Sequence, residues 1–169
     1  MKQPIEGGGR NSAVSKLFCE AFAAALAKAG APVDGVFHGT FSKDDIPAGD
    51  LTVADCWKLL PYENGLITAE LTAEELVAIV GEDKGGRTLW PFELKQDEAG
   101  AAMGLLFKGQ PVDPAKCYRI GFNTYDAQSG GRSLPLLHEI VNRPASKRTE
   151  TKVAARDALI DFLSMKVEI

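Results

Sequence analysis

The run at residues 65–76, GLITAELTAEEL, changes its hydrophobic period without a loop in between. Residues 65–71 are β-branched and partly alternating, the pattern of a half-buried strand. Thr72 and Glu75 then have the spacing of a capping box, in which the Thr side chain and the Glu side chain each satisfy a free backbone N–H of the first helical turn. A helix over AEELVAIV follows, with Gly81 as its stop. A chain that passes straight from strand to helix belongs to a fold in which helices lie on a sheet, because each element buries one apolar face and needs a partner for it.

The rest of the chain extends this reading. Val14, Leu17, Phe18, Ala21, Phe22, Ala25, Leu26 and Ala29 recur at helical spacing. Asn11 or Ser12 can cap this helix, and Gly30 followed by Pro32 ends it. GVF at 35–37 reads as a short buried strand, and residues 38–50 as loop. Thr52, with Asp55 three residues on, opens a short helix that Pro61 closes. TLWPFEL and GLLF predict two strands between Thr88 and Phe107. Gly109, Pro111, Asp113 and Pro114 are turn chemistry. CYRIGFN at 117–123 is the strongest strand, and residues 124–133 read as loop. A short helix or turn over LPLLHEIV and a closing helix over VAARDALIDFL complete the chain, the latter with Thr151 as its cap. The expected fold is α+β: one compact domain over residues 1–169, a mixed β-sheet with packed helices. Phe18, Phe22, Leu26, Leu66, Ile120, Leu159 and Leu163 are the expected core.

A chain of 169 residues, 45% hydrophobic, can bury such a core. Its net charge of −4 offers no broad basic field for a phosphate backbone, so no nucleic-acid partner is expected. No apolar run is long enough for a membrane span, and the first ten residues lack the apolar segment of a signal peptide. The three cysteines, Cys19, Cys56 and Cys117, show no Cys-x-x-Cys spacing and read as buried thiols. The two histidines, His38 and His138, have no metal-site spacing.

Two blocks carry a resemblance. In LPYENGLITAELTAEEL, residues Leu60, Pro61, Asn64, Glu70, Leu71 and Thr72 match a leucine-proline-phenylalanine-glycine-asparagine turn followed by a strand ending in glutamate-leucine-threonine, with Tyr62 in the phenylalanine place. In GQPVDPAKCYRIGFNTYDAQSGGRS, residues Gly109, Val112, Asp113, Lys116, Tyr118, Asn123, Gly130 and Gly131 match a second stretch that ends in a Gly-Gly-Asp-Gly loop. The first helix, DIPAGDLT and the closing helix fall in the same order. The chain thus resembles the C-terminal domain of the 5′-nucleotidase / UDP-sugar hydrolase family along nearly its whole length.

That resemblance implies a domain that grips a nucleotide or nucleoside rather than one that cleaves it. Tyr62 and Tyr125 would be the two aromatic walls of a base clamp. Asn64 would hydrogen-bond beside it, and Asn123 would shape the strand exit. Lys43 and the loop Gly130, Gly131, Arg132 would lie at sugar and phosphate positions. The family's divalent metals belong to an N-terminal metallophosphoesterase domain, so no cofactor is expected in this chain. That domain is the implied partner, and the implied location of the parent protein is periplasmic or extracellular. This chain, read as an isolated domain, would not be an enzyme by itself.

Two departures bear on ligand affinity. The family's asparagine-x-glycine-glycine-x-arginine loop reads HGTFSKDDI here, with His38 in the asparagine place and Lys43 near the arginine place. Lysine is a point charge and cannot grip phosphate in two places at once. Arg132 replaces the aspartate of the Gly-Gly-Asp-Gly loop. Binding is therefore expected to be weak, and the alternative is a non-catalytic protein-interaction module on the same fold. Of the three Gly-Gly-Arg runs, the one ending at Arg10 lies best for an anion, just ahead of a helix. The basic segment NRPASKRTETK reads as solvated loop.

Overall fold

The computed structural model describes residues 3–39, 45–49, 51–84, 86–100, 102–128 and 132–166. The helix α1 (Ala13–Lys28) starts where Ser12 accepts from the Ser15 amide. The chain then runs β1 (Gly35–His38), α2 (Val53–Leu59), β2 (Gly65–Thr72) and α3 (Ala73–Glu82). Both expected capping boxes form, Thr52 with Asp55 and Thr72 with Glu75. After α3 come β3 (Thr88–Trp90), β4 (Phe92–Gln96), β5 (Ala102–Phe107), β6 (Gln110–Pro111) and β7 (Cys117–Asn123). The chain closes with α4 (Thr124–Ala127), α5 (Pro135–Asn142), β8 (Thr149–Ala154) and α6 (Ala155–Lys166).

Five strands form one mixed sheet in the order β3-β1-β7-β2-β8, and β4-β5-β6 form a second, antiparallel sheet. In the large sheet only β1 and β7 run parallel. Alternation along the strands feeds two apolar layers. Ile67, Ala69 and Leu71 of β2 and Tyr118, Ile120 and Phe122 of β7 face α3, α5 and the small sheet. Val36 of β1 and Leu66 of β2 face α1, α2 and α6, among Phe18, Phe22, Leu26, Leu159 and Leu163. All seven core residues expected from sequence are buried. The layers are two faces of one sheet in a single α+β domain. Among the described residues no helix is long and apolar enough to cross a membrane.

Several sequence expectations need correction. TLWPFEL is not one strand: the Trp90–Pro91 peptide is cis, and the chain there leaves the large sheet for the small one. Thr151 does not cap the closing helix but lies inside β8, where its hydroxyl donates to the Leu66 carbonyl at 2.5 Å. The second half of the basic segment is thus edge strand rather than loop. Thr124–Ala127 is a short helix, not loop. Cys19 and Cys56 are buried free thiols, whereas Cys117 is free and exposed. Burial pushes the Cys19 thiol well above its ordinary range.

At Gly35 the β1 backbone leaves no room for a side chain against the β3–β4 junction. A Cβ there would stand 2.5 Å from the Trp90 carbonyl oxygen and 2.7 Å from Cε2 of Phe92. Gly35→Ala is expected to destabilise the chain by roughly 1–3 kcal/mol through overpacking, seen as a lower midpoint in urea unfolding; an unchanged midpoint would show that the junction moves aside freely.

Candidate functional site

The antiparallel register of β2 on β7 pairs Leu66 with Asn123. The start of β2 therefore lies beside the end of β7, and the end of β1 lies there too, because β1 runs parallel to β7. Two chain segments meet at this rim beside His38, the last residue of β1: the turn 61–64 before β2 and the short helix α4 after β7. A cavity of about 510 Å³ opens there, lined among the described residues by Tyr62, Glu63, Asn64 and Tyr125. Tyr62 is 61% exposed and Tyr125 40%. Two aromatic faces, an amide and a carboxylate on one concave rim suit a flat, uncharged ring with hydrogen-bonding edges.

Each wall is held from behind by an arginine. Behind Tyr125, Asp126 is buried, and its Oδ1 accepts from Arg87 Nε at 2.8 Å. Arg87 also donates to Asp83 Oδ1 at 2.8 Å, and Arg10 donates to Asp83 Oδ2 at 3.0 Å and to its carbonyl at 2.6 Å. Burial alone would lower the Arg87 guanidinium; Asp126 and Asp83 reverse that and hold it above its ordinary value. Behind Tyr62, Arg156 on α6 donates to the carbonyls of Leu60 and Pro61.

Asn123 is not in the cleft. It is buried, it caps α4 by accepting from the Asp126 amide at 2.7 Å, and its Nδ2 donates to Asp126 Oδ2 at 3.0 Å. The same Nδ2 lies 2.7 Å from His38 Nδ1. A short helix leaves its first N–H groups unpaired, and an asparagine at the strand exit is drawn inward to satisfy them. His38 is likewise not loop but the last residue of β1, buried against the Phe18 and Phe22 rings at centroid distances of 6.0 and 4.8 Å. Arg132 is exposed with φ 74° and does not line the cavity. Lys43, Gly130 and Gly131 lie outside the described residues. The Arg10 and Arg87 side chains, at the ends of two Gly-Gly-Arg runs, are paired with carboxylates of the chain itself. His138 is exposed on α5, where its Nδ1 lies 3.1 Å from the Ala127 carbonyl. Among the described residues no group of three or more His, Cys, Asp and Glu is placed to hold a metal ion.

The comparisons with known proteins bear on the fold and the family. Over 136 residues the chain is 33% identical to the Silent protein UshA(0) of Salmonella typhimurium, a match that takes in 75% of this chain and 23% of that protein. The 5′-nucleotidase precursor of Thermus thermophilus superimposes on 97% of this chain with a TM-score of 0.79 at 19% identity. The chain belongs with the C-terminal domain of the 5′-nucleotidase / UDP-sugar hydrolase family. The NAD nucleotidase NadN of Haemophilus influenzae has the same fold, with a TM-score of 0.74 over 98% of this chain at 17% identity. No family model matches the chain. The chain spans about a quarter of the curated relative's length and about a third of each solved structure's. Against the pattern of the 5′-nucleotidase / UDP-sugar hydrolase family, Glu63 takes the place of the glycine between the first ring and Asn64.

Sequence reasoning named both rings and Asn64, which line the cavity, but did not name Asp83, Asp126, Arg156 or Glu63. Asp126 and Arg156 each leave a local signal, a charged residue beside an aromatic or in an apolar helix start. Their partners are distant in the chain, however, and no spacing rule reaches them. Arg87→Met would leave the buried Asp126 carboxylate without its cation. It is expected to cost about 3 kcal/mol, measured by denaturant unfolding, while Arg87→Lys should cost less; equal stability of the Met variant would show that Asp126 is held by Asn123 alone.

Proposed function

We propose that this chain is the substrate-recognition domain of a 5′-nucleotidase-type phosphoester hydrolase, and that its cleft takes the base of a nucleotide or nucleoside between Tyr62 and Tyr125. The observation that carries the reading is the placement of both rings and Asn64 around one cavity at one rim. The rim lies at the carboxyl ends of the parallel strands β1 and β7, where open α/β sheets receive ligands. Two of the three similar proteins are nucleotidases by name, which adds weight.

Stacking on an aromatic side chain is worth roughly 1–3 kcal/mol per base, and it tolerates any base because each has a π face. Asn64 can read a base edge as donor and acceptor at once. Glu63 adds a carboxylate that accepts from amino or hydroxyl groups and repels phosphate. Ordering costs offset much of the gross gain, which leaves an affinity of about 1 mM, near −4 kcal/mol. In this reading the divalent metals and the hydrolytic step belong to an N-terminal metallophosphoesterase domain, with the rim of this domain presenting the base. A second reading, a protein-interaction module, draws on Trp57, which is 51% exposed on α2 beside the same turn.

Titration with adenosine monophosphate, followed by NMR, tests the proposal. The Asn64 amide and the ring protons of Tyr62 and Tyr125 should shift together, and Tyr62→Ala should weaken binding about tenfold. Absence of any shift at several millimolar ligand would move the function to the interaction module. The chain should also release no phosphate from adenosine monophosphate with added manganese, cobalt or zinc; turnover that follows the protein through repurification would overturn that part.

A further inference from the structure

We infer that Arg156 is a positioning residue for the cleft, fixing the turn that carries Tyr62, Glu63 and Asn64 without touching the ligand. This rests on the reading of the cleft as a ligand site. Residues 61–64 lie in no helix or strand, so no ladder of backbone bonds holds them. Pro61 brings no N–H of its own. The turn nevertheless has to present Tyr62 to the cavity in one orientation, because a ring free to swing loses entropy when a base stacks on it.

The geometry supplies a restraint from the first turn of α6. Arg156 Nε donates to the Leu60 carbonyl at 2.9 Å, and Nη2 donates to the Pro61 carbonyl at 3.0 Å. Nη1 reaches the Glu63 carboxylate at 3.4 Å. The guanidinium lies over Trp57, 3.7 Å from the ring centroid. One residue earlier, the Ala155 amide donates to the Asn64 carbonyl at 2.8 Å. The turn is thus gripped on both sides of Tyr62. Arg156 itself is 4% exposed, and it is not among the described residues that line the cavity. It acts on the rim from behind.

A structural cation satisfied by nearby carbonyls would need only charge. A positioning residue needs the flat fork, which bridges two carbonyls while stacking on an indole. Lysine keeps the charge but is a compact ammonium without that geometry. Arg156→Lys therefore separates the two roles, and Trp57→Ala supplies a second variant. Trp57 is half exposed, so its loss should leave the fold intact while removing the stacking face.

Both variants are compared with the native chain by NMR, after thermal unfolding has confirmed that they fold. Without ligand, the Glu63 and Asn64 amides should gain fast motion in Arg156→Lys, and to a lesser degree in Trp57→Ala, while the Asp126 amide is unchanged. With adenosine monophosphate as the probe, the dissociation constant should rise at least fivefold in Arg156→Lys. The ligand-induced shift of the Tyr62 ring should vanish while that of Tyr125 persists. Amides as rigid as in the native chain, or an affinity within twofold of it, would overturn the inference and leave the ligand reading of the cleft standing. A native chain that shows no ligand shift at either ring would instead overturn the ligand reading, and this inference with it. If Arg156→Lys does not fold, unchanged amide motion and affinity in Trp57→Ala would overturn the inference by themselves.

Discussion

The antiparallel pairing of β2 with β7 organises the molecule. Its seven residue pairs run from Leu66↔Asn123 to Thr72↔Cys117. Because side chains alternate along both strands, one register fills two apolar layers at once. A slip by one residue would send Ile67, Ala69 and Leu71 to the α1 side and Leu66 to the other. The same register decides which chain ends meet. It places the turn before β2 against the helix after β7, so the rim with two tyrosines follows from sheet topology.

Elements whose determinants lie within a few residues were legible in the sequence. Thr52 with Asp55 and Thr72 with Glu75 act over three positions and form as read, and of the two caps open to the first helix, Asn11 and Ser12, it is Ser12 that forms. β7 was legible because its alternation is local. β8 was not, because an edge strand pairs on one side only, and Glu150 and Lys152 stand where a central strand would carry apolar residues. The rim was half legible. Tyr62, Asn64 and Tyr125 sit where the matching motifs put them, whereas Asn123 turns inward. That turn depends on a carboxylate three residues later and on a histidine 85 residues earlier.

Charge at the rim is arranged in two depths. Beneath the surface, Arg10, Asp83, Arg87 and Asp126 alternate in sign, so each carboxylate has a cation and the series closes without a lone buried charge. At the surface, the Glu63 side chain is 81% exposed and pairs with the buried Arg156. These cations are therefore paired with carboxylates and carbonyls of the chain itself.

His38 shows what that arrangement costs. Asn123 Nδ2 must be a donor, since it faces the Asp126 carboxylate, and Asn123 Oδ1 must accept, since it faces the Asp126 amide. His38 Nδ1, 2.7 Å from that same Nδ2, is then an acceptor, which leaves the imidazole proton on Nε2. Among the described residues Nε2 has no hydrogen-bond partner. It is buried with the Phe18 and Phe22 rings packed against the imidazole, and an unmet buried donor costs about 1–3 kcal/mol. What the tautomer secures is a fixed Asn123, hence a capped α4, hence an Asp126 aimed at Arg87 and a Tyr125 kept at the surface. The imidazole and the exposed ring are thus linked through Asn123 and Asp126, the residue that follows Tyr125.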